Sequence, residues 1–62
     1  MIPKTENLKK GMEQFAQQHR ASNNSLIRAE TDNTVLMLLE SHVPDSQLRM
    51  ELFKYYEIRK YG

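Results

Sequence analysis

Ser41, His42 and Asp45 are the residue types of a hydrolase catalytic triad, and they lie close together in this sequence. In a triad the histidine takes a proton from the serine hydroxyl, and the aspartate orients the imidazole. Ser41 and His42 are neighbours in a predicted helix, where successive side chains point about 100° apart. They therefore cannot form a nucleophile–base pair, and no glycine-rich turn is present to bind an oxyanion. We predict no catalytic residues in this segment.

Metal and acid–base chemistry are also poorly supported. Structural zinc sites usually have four Cys or His ligands, whereas this chain has no cysteine and only His19 and His42. Glu40, Asp45 and Glu51 could form carboxylate pairs, but such a short chain offers little interior in which to desolvate them. The two glycines stand apart, so a phosphate-binding loop is absent as well. We predict no metal, no cofactor and no enzymatic activity.

The length of the chain limits how much apolar surface it can bury. A domain of 62 residues buries only about 60% of the surface that its unfolded form exposes. Disulfides are excluded because there is no cysteine, so tight helix packing or association with another chain must stabilise the fold. The sequence shows neither a signal peptide nor a membrane span, and we expect a cytoplasmic protein.

The first predicted helix covers residues 5–20, with Thr5 as its N-cap, and residues 1–4 before it are predicted to be frayed or extended. Gly11 within it either allows another helix to approach closely or is tolerated on the surface. One face of this helix has helical spacing and is formed by Leu8, Met12, Phe15, Ala16 and His19.

The second predicted helix ends at residue 42, but its start is ambiguous. Either Ser25 caps one continuous helix, or Asp32 caps a shorter helix (33–42) that follows a turn or strand over 26–31. Because Asp and Asn favour caps and turns over helix interiors, we expect a break near residues 30–32.

The apolar run VLMLL, residues 35–39, makes the second helix apolar nearly all round. Leu36 lies about 100° and Met37 about 200° from Val35 around the helix axis. Two neighbouring helices cannot cover every side, so Leu36 and Met37 are predicted to need cover from another chain or to form an exposed patch.

Pro44 ends the second helix, and a third is predicted over residues 45–60. Its main face is predicted to hold Leu48, Leu52, Tyr55, Tyr56 and Arg59. Met50, Ile58 and Tyr61 point elsewhere, so this helix has more apolar surface than one contact needs.

The net charge of +1 combines basic ends with an acidic middle. Residues 1–29 hold five basic and two acidic residues, residues 30–45 hold four acidic and no basic ones, and residues 46–62 are again basic. Either the middle helix packs between two basic neighbours, or the third helix presents Tyr55, Tyr56, Arg59 and Tyr61 to an acidic partner.

The pattern predicts an all-α fold, a small three-helix bundle that is expected to form a homodimer. The predicted function is that of a non-enzymatic regulatory or accessory protein, an inhibitor or adaptor that occludes or bridges another protein. The predicted partner-binding residues are Leu36, Met37, Met50, Phe53, Tyr56, Ile58, Arg59 and Tyr61.

DNA binding is the alternative function. A strand near residues 23–28 followed by two helices would fit a ribbon-helix-helix dimer, and the segment around Pro44 would fit a helix-turn-helix. The predicted DNA-binding residues are Asn24, Arg28, Arg49 and Lys54. Adjacent Leu26 and Ile27 break the alternation of a strand, and the overall charge lacks the positive excess of a nucleic-acid-binding protein.

Overall fold

A computed structural model describes residues 4–61 as three helices joined by two three-residue loops. These are α1 (Lys4–Ala21), α2 (Ser25–His42) and α3 (Ser46–Tyr61). The predicted all-α three-helix fold is confirmed, and the first and third helices differ from their predicted bounds by one residue. Lys4 is already helical, so Thr5 is not the cap of α1. The extended conformation expected for residues 1–3 lies outside the described residues.

The first and third helices run parallel, with α2 returning between them. The Lys9 ammonium lies 5.7 Å from the centroid of the Tyr55 ring, and Arg59 Nη2 lies 3.9 Å from Glu13 Oε1. In both contacts the α3 residue follows its α1 partner by the same number of residues. This constant separation indicates that the two helices are parallel. The contact between α1 and α3 is more extensive than either contact made by α2.

The core lies where the three helices face one another. Each helix contributes residues at a spacing of four, which places them on one side of the helix. The buried apolar residues are Met12, Ala16, Val35, Leu39, Val43, Leu52 and Tyr56. Leu8 and Phe15 pack against this cluster, which confirms the predicted face of the first helix.

The break expected near residues 30–32 is wrong, because α2 is helical throughout. Asn24 caps the helix, and its side-chain oxygen accepts hydrogen bonds from the backbone N–H groups of Leu26 and Ile27. The Thr31 hydroxyl donates to the Ile27 carbonyl, four residues earlier, and so makes its hydrogen bond within the helix. Asp32 directs its carboxylate toward α3. Hydrogen bonds from Tyr56 and Lys60 there take the place of the local backbone hydrogen bonds with which an aspartate otherwise favours a turn.

The loop before α3 contains Asp45, the third member of the apparent triad. Its side-chain oxygen accepts hydrogen bonds from the backbone N–H groups of Gln47 (2.9 Å) and Leu48 (3.2 Å). Asp45 is therefore the N-cap of α3, which is the role expected of an aspartate at this position. Ser41 and His42 are exposed at the end of α2.

Gly11 can be replaced to stabilise the fold. A Cβ atom built at Gly11 has no neighbouring helix within 4 Å, so the interpretation as a site of close helix approach is wrong. We expect Gly11→Ala to raise the free energy of unfolding by about 0.5–1 kcal/mol, because alanine loses less backbone entropy in a helix. Urea denaturation followed by circular dichroism measures this change, and an unchanged or lower midpoint would contradict it.

Candidate binding groove and a buried polar cluster

An open groove of about 760 Å³ runs between α2 and α3. Its apolar lining consists of Leu36, Leu39, Met50, Phe53, Ile58 and Tyr61. Its polar lining consists of Glu40, Ser46, Arg49, Lys54 and Glu57. Most of these residues belong to α3, and their spacings of three and four place them on one side of that helix.

The groove exists because α3 is apolar on two sides. Leu52 and Tyr56 face the core, and both are almost completely buried. Met50 and Ile58 lie about 120–160° from them around the helix and are 73% and 62% exposed, while Tyr61 is 80% exposed. Scattered exposed apolar residues are ordinary, but several that line one groove make it a candidate binding surface.

Five of the eight predicted partner-binding residues line the groove. They are Leu36, Met50, Phe53, Ile58 and Tyr61. Met37 is exposed on α2 but does not line the groove. Leu36 and Met37 are 41% and 66% exposed, which agrees with the exposed patch that the pattern of VLMLL predicts.

Two of the predicted partner-binding residues lie elsewhere. Tyr56 is 0% exposed and belongs to the core, so its assignment to a binding surface is wrong. Arg59 lies on the side of α3 that faces α1, where its Nε donates to the Tyr55 hydroxyl (3.3 Å) and its Nη2 approaches Glu13. The tyrosine-containing face expected on the third helix is therefore divided between the core, the contact with α1 and the groove.

The ribbon-helix-helix alternative requires a strand near residues 23–28, and this prediction is wrong because residues 25–28 are the first turn of α2. Asn24 is the cap of that helix, and the Arg28 Nε donates to the Ser22 carbonyl at 2.7 Å. Arg49 donates from Nη1 to the Val43 carbonyl at 3.1 Å, and Lys54 lines the groove. The helix-turn-helix form, which uses α2, its three-residue loop and α3, stays a prediction.

A polar cluster connects all three helices through one carboxylate oxygen. Asp32 Oδ1 accepts hydrogen bonds from the Tyr56 hydroxyl (2.5 Å) and the Lys60 ammonium (3.2 Å), and it lies 3.8 Å from His19 Nε2. The Lys60 side chain is only 7% exposed, and its ammonium also lies 5.0 Å from the centroid of the Tyr56 ring. A buried lysine needs such partners, because an isolated ammonium is costly to remove from water.

Sequence reasoning missed this cluster. The signal was the spacing of Leu52, Tyr56 and Lys60, which places the lysine in line with two core residues. A lysine in line with a core face implies a carboxylate nearby, and Asp32 is that carboxylate.

Neither the groove nor a second, smaller cavity beside α1 and α3 is lined by His19 or Asp32. Within residues 4–61, no group of three or more His, Asp or Glu side chains is placed to hold a metal ion.

No protein-family model, curated protein or solved structure matches this chain. Its function must therefore be argued from its own residues. Among the helices of residues 4–61, none combines the length and the apolar character needed to cross a membrane.

We expect the polar cluster to make the folded state less stable at acid pH. Burial raises the pKa of Asp32, but the hydrogen bonds from Tyr56 and Lys60, together with the charge of Lys60, outweigh it and hold that pKa below the ordinary 3.8. A lowered pKa in the folded state means that Asp32 contributes stability above pH 3.8, and that this contribution is lost as the pH falls through the folded-state pKa.

We therefore expect the urea midpoint to fall with acidification below pH 3.8, and the Asp32→Asn variant to lose part of that dependence. Denaturation of both proteins over a series of acid pH values measures the difference. Parallel pH profiles for the two proteins would contradict the assignment.

Proposed function

We propose that this protein is a non-enzymatic regulatory or accessory protein that binds a helix of another polypeptide chain in the groove between α2 and α3. Binding there would occlude or bridge the partner. The observation that carries the proposal is the second apolar side of α3, where Met50, Ile58 and Tyr61 are exposed although the core is already complete. The absence of cysteine favours the reducing cytoplasm as its location.

A helix suits the groove better than an extended segment does. The groove is bounded by two helices, with Leu36 and Leu39 on one side and the α3 residues on the other. Within the described residues no sheet edge offers backbone groups to an added strand. An amphipathic helix instead presents side chains at i, i+3, i+4 and i+7, which fit between two helices.

The lining has the composition of a protein-binding site. Its apolar part consists of one Met, two aromatic and three branched aliphatic residues, and charged residues from both helices accompany it. Interfaces are enriched in aromatic residues, Met and Arg, and their rims are polar. Methionine adapts its shape to irregular partners, which suits Met50 to its exposed place in the groove wall.

A selection of helical peptides displayed on phage tests the proposal. We expect the protein to enrich peptides with apolar residues at helical spacing, and Met50→Glu to weaken their binding by about tenfold or more, because a carboxylate would be desolvated in the groove. Gln47→Glu is the matched control: it adds the same charge to the same helix at an exposed position outside the groove.

Peptides that bind Met50→Glu as tightly as the unsubstituted protein would place the binding surface elsewhere and overturn the proposal. A DNA mobility-shift assay at two salt concentrations tests the alternative function. Affinity for DNA that falls steeply with salt would favour the helix-turn-helix interpretation instead.

A further inference from the structure

The groove side of α3 carries opposite charges at equal distances on either side of Phe53. Arg49 precedes Phe53 by four residues and Glu57 follows it by four, and all three line the groove. Four residues span about 6 Å along a helix and return to nearly the same side. The charge pattern of this surface is therefore antisymmetric about Phe53.

We propose that the occupant of the groove is α3 of a second copy of this chain, packed antiparallel about a two-fold axis at Phe53. This inference rests on the proposed function, because it uses the same groove. A two-fold axis pairs each residue before Phe53 with the residue equally far after it in the other copy. Arg49 of each copy therefore meets Glu57 of the other, and the ion pair forms twice.

Arg49 is already held in place for this contact. Its Nη1 donates to the Val43 carbonyl at 3.1 Å, which anchors the guanidinium at the end of α2. One such bond uses one of the five N–H donors of a guanidinium and leaves others for a carboxylate. A side chain fixed before association loses less rotamer entropy when it forms an ion pair.

The remaining charges also suit a second copy. The groove is lined by two basic residues, Arg49 and Lys54, and two acidic residues, Glu40 and Glu57. Their charges therefore cancel. Lys54 is one residue from the axis and therefore lies near its own counterpart in the second copy, while Glu40 on the α2 wall is the remaining acidic residue of the groove. A surface with cancelling charges does not repel its own copy and gives no net attraction to a strongly charged partner.

A stable dimer would have to bury more than the groove alone, because it needs the surface of α3 on both sides of Phe53. A standard interface buries about 800 Å² on each protein, which is roughly a sixth of the 4702 Å² that this chain exposes. The long axis of the molecule extends 36 Å, and α3 runs for 16 residues with Phe53 on the proposed axis and Met50 three residues from it. These two apolar residues would lie between the two ion pairs, and Ile58 would lie just beyond one of them.

Charge exchange tests this geometry. The dissociation constant of the dimer would be measured by sedimentation equilibrium at micromolar concentrations for the unsubstituted protein, Arg49→Glu, Glu57→Arg and the double variant. We expect each single change to weaken the dimer by about tenfold or more, since it places like charges opposite each other twice. The double variant should recover most of the lost affinity, because it restores both ion pairs in reverse.

Mixing the two single variants gives the sharpest result. The Arg49→Glu chain carries an acidic side chain at both positions, and the Glu57→Arg chain carries a basic side chain at both. Each contact across the axis would then join opposite charges, so a heterodimer should form from two chains that dimerise poorly alone. Thermal melts of each variant show whether it folds, and the rescue by mixing needs no further substitution. Failure of both the double variant and the mixture to recover association would overturn the antiparallel α3 pairing.

The outcomes separate this inference from the proposed function. A monomer at all concentrations that still selects helical peptides sensitive to Met50→Glu overturns the second-copy inference and leaves the proposed function standing. A monomer that selects no such peptides overturns both.

Discussion

Replacing Asp32 with alanine is expected to lower the free energy of unfolding by about 2–4 kcal/mol. The substitution removes the one oxygen that accepts hydrogen bonds from both the Tyr56 hydroxyl and the Lys60 ammonium. Tyr56 is fully buried and the Lys60 side chain is nearly so, but the Asp32 side chain is 34% exposed, so water can replace the lost acceptor only in part. Urea denaturation at neutral pH measures the loss, which for a domain of this size is a large part of its stability.

Asn33→Ala is the matched control for this prediction, because Asn33 is the exposed neighbour of Asp32 in the same helix. It should change the free energy of unfolding by less than about 0.5 kcal/mol. A second test repeats Asp32→Ala in a Lys60→Met background. The loss of free energy of unfolding should be smaller there, because the ammonium that Asp32→Ala would leave without an acceptor is already absent. An equal cost in both backgrounds would show that Lys60 does not depend on Asp32.

Local signals were sufficient to predict most of this fold. Pro44 and the polar segment before Ser25 mark the two loops, and the helical spacing around Met12 and Leu52 marks the core sides of α1 and α3. These signals act over a few residues, so they can be read without knowing the tertiary structure. The bounds of α1 and α3 accordingly differ from prediction by a single residue.

The errors arose where tertiary contacts override local preference. Asp32 favours a helix start in isolation, but in the folded chain it lies inside α2 because Tyr56 and Lys60 supply its partners. Tyr56 looked like a binding residue because tyrosine is common in interfaces, yet its hydroxyl is satisfied inside the core. Both errors concern the same cluster, whose members are far apart in sequence.

The candidate groove was predicted in part. Leu36 and Met37 are exposed because a helix that is apolar all round cannot be covered by two neighbours, and sequence shows this directly. The contribution of Leu39 and Glu57 was not predictable, because it depends on how α2 and α3 are placed beside each other. The symmetry of charge about Phe53 likewise became apparent only once one side of α3 was known to line the groove.

Leu52→Ala is expected to destabilise the fold by about 2–5 kcal/mol. Leu52 is 1% exposed and lies in the cluster shared by the three helices, so its removal leaves a cavity that the neighbours fill only partly. Urea denaturation of dilute protein measures this loss. Because the chain buries so little surface, we expect the variant to be largely unfolded at physiological temperature.

Met50→Ala is the matched substitution on the opposite side of α3. At 73% exposure, Met50 contributes little to the monomer, and its truncation should cost less than about 0.5 kcal/mol in dilute protein. At higher concentrations the two proteins should diverge, because a dimer formed through the groove stabilises the unsubstituted chain by mass action and the variant less so. The midpoint of the unsubstituted protein should therefore rise with concentration, and that of Met50→Ala should rise less. Equal losses for Leu52→Ala and Met50→Ala in dilute protein would mean that Met50 belongs to the core, and the distinction between the two sides of α3 would be wrong.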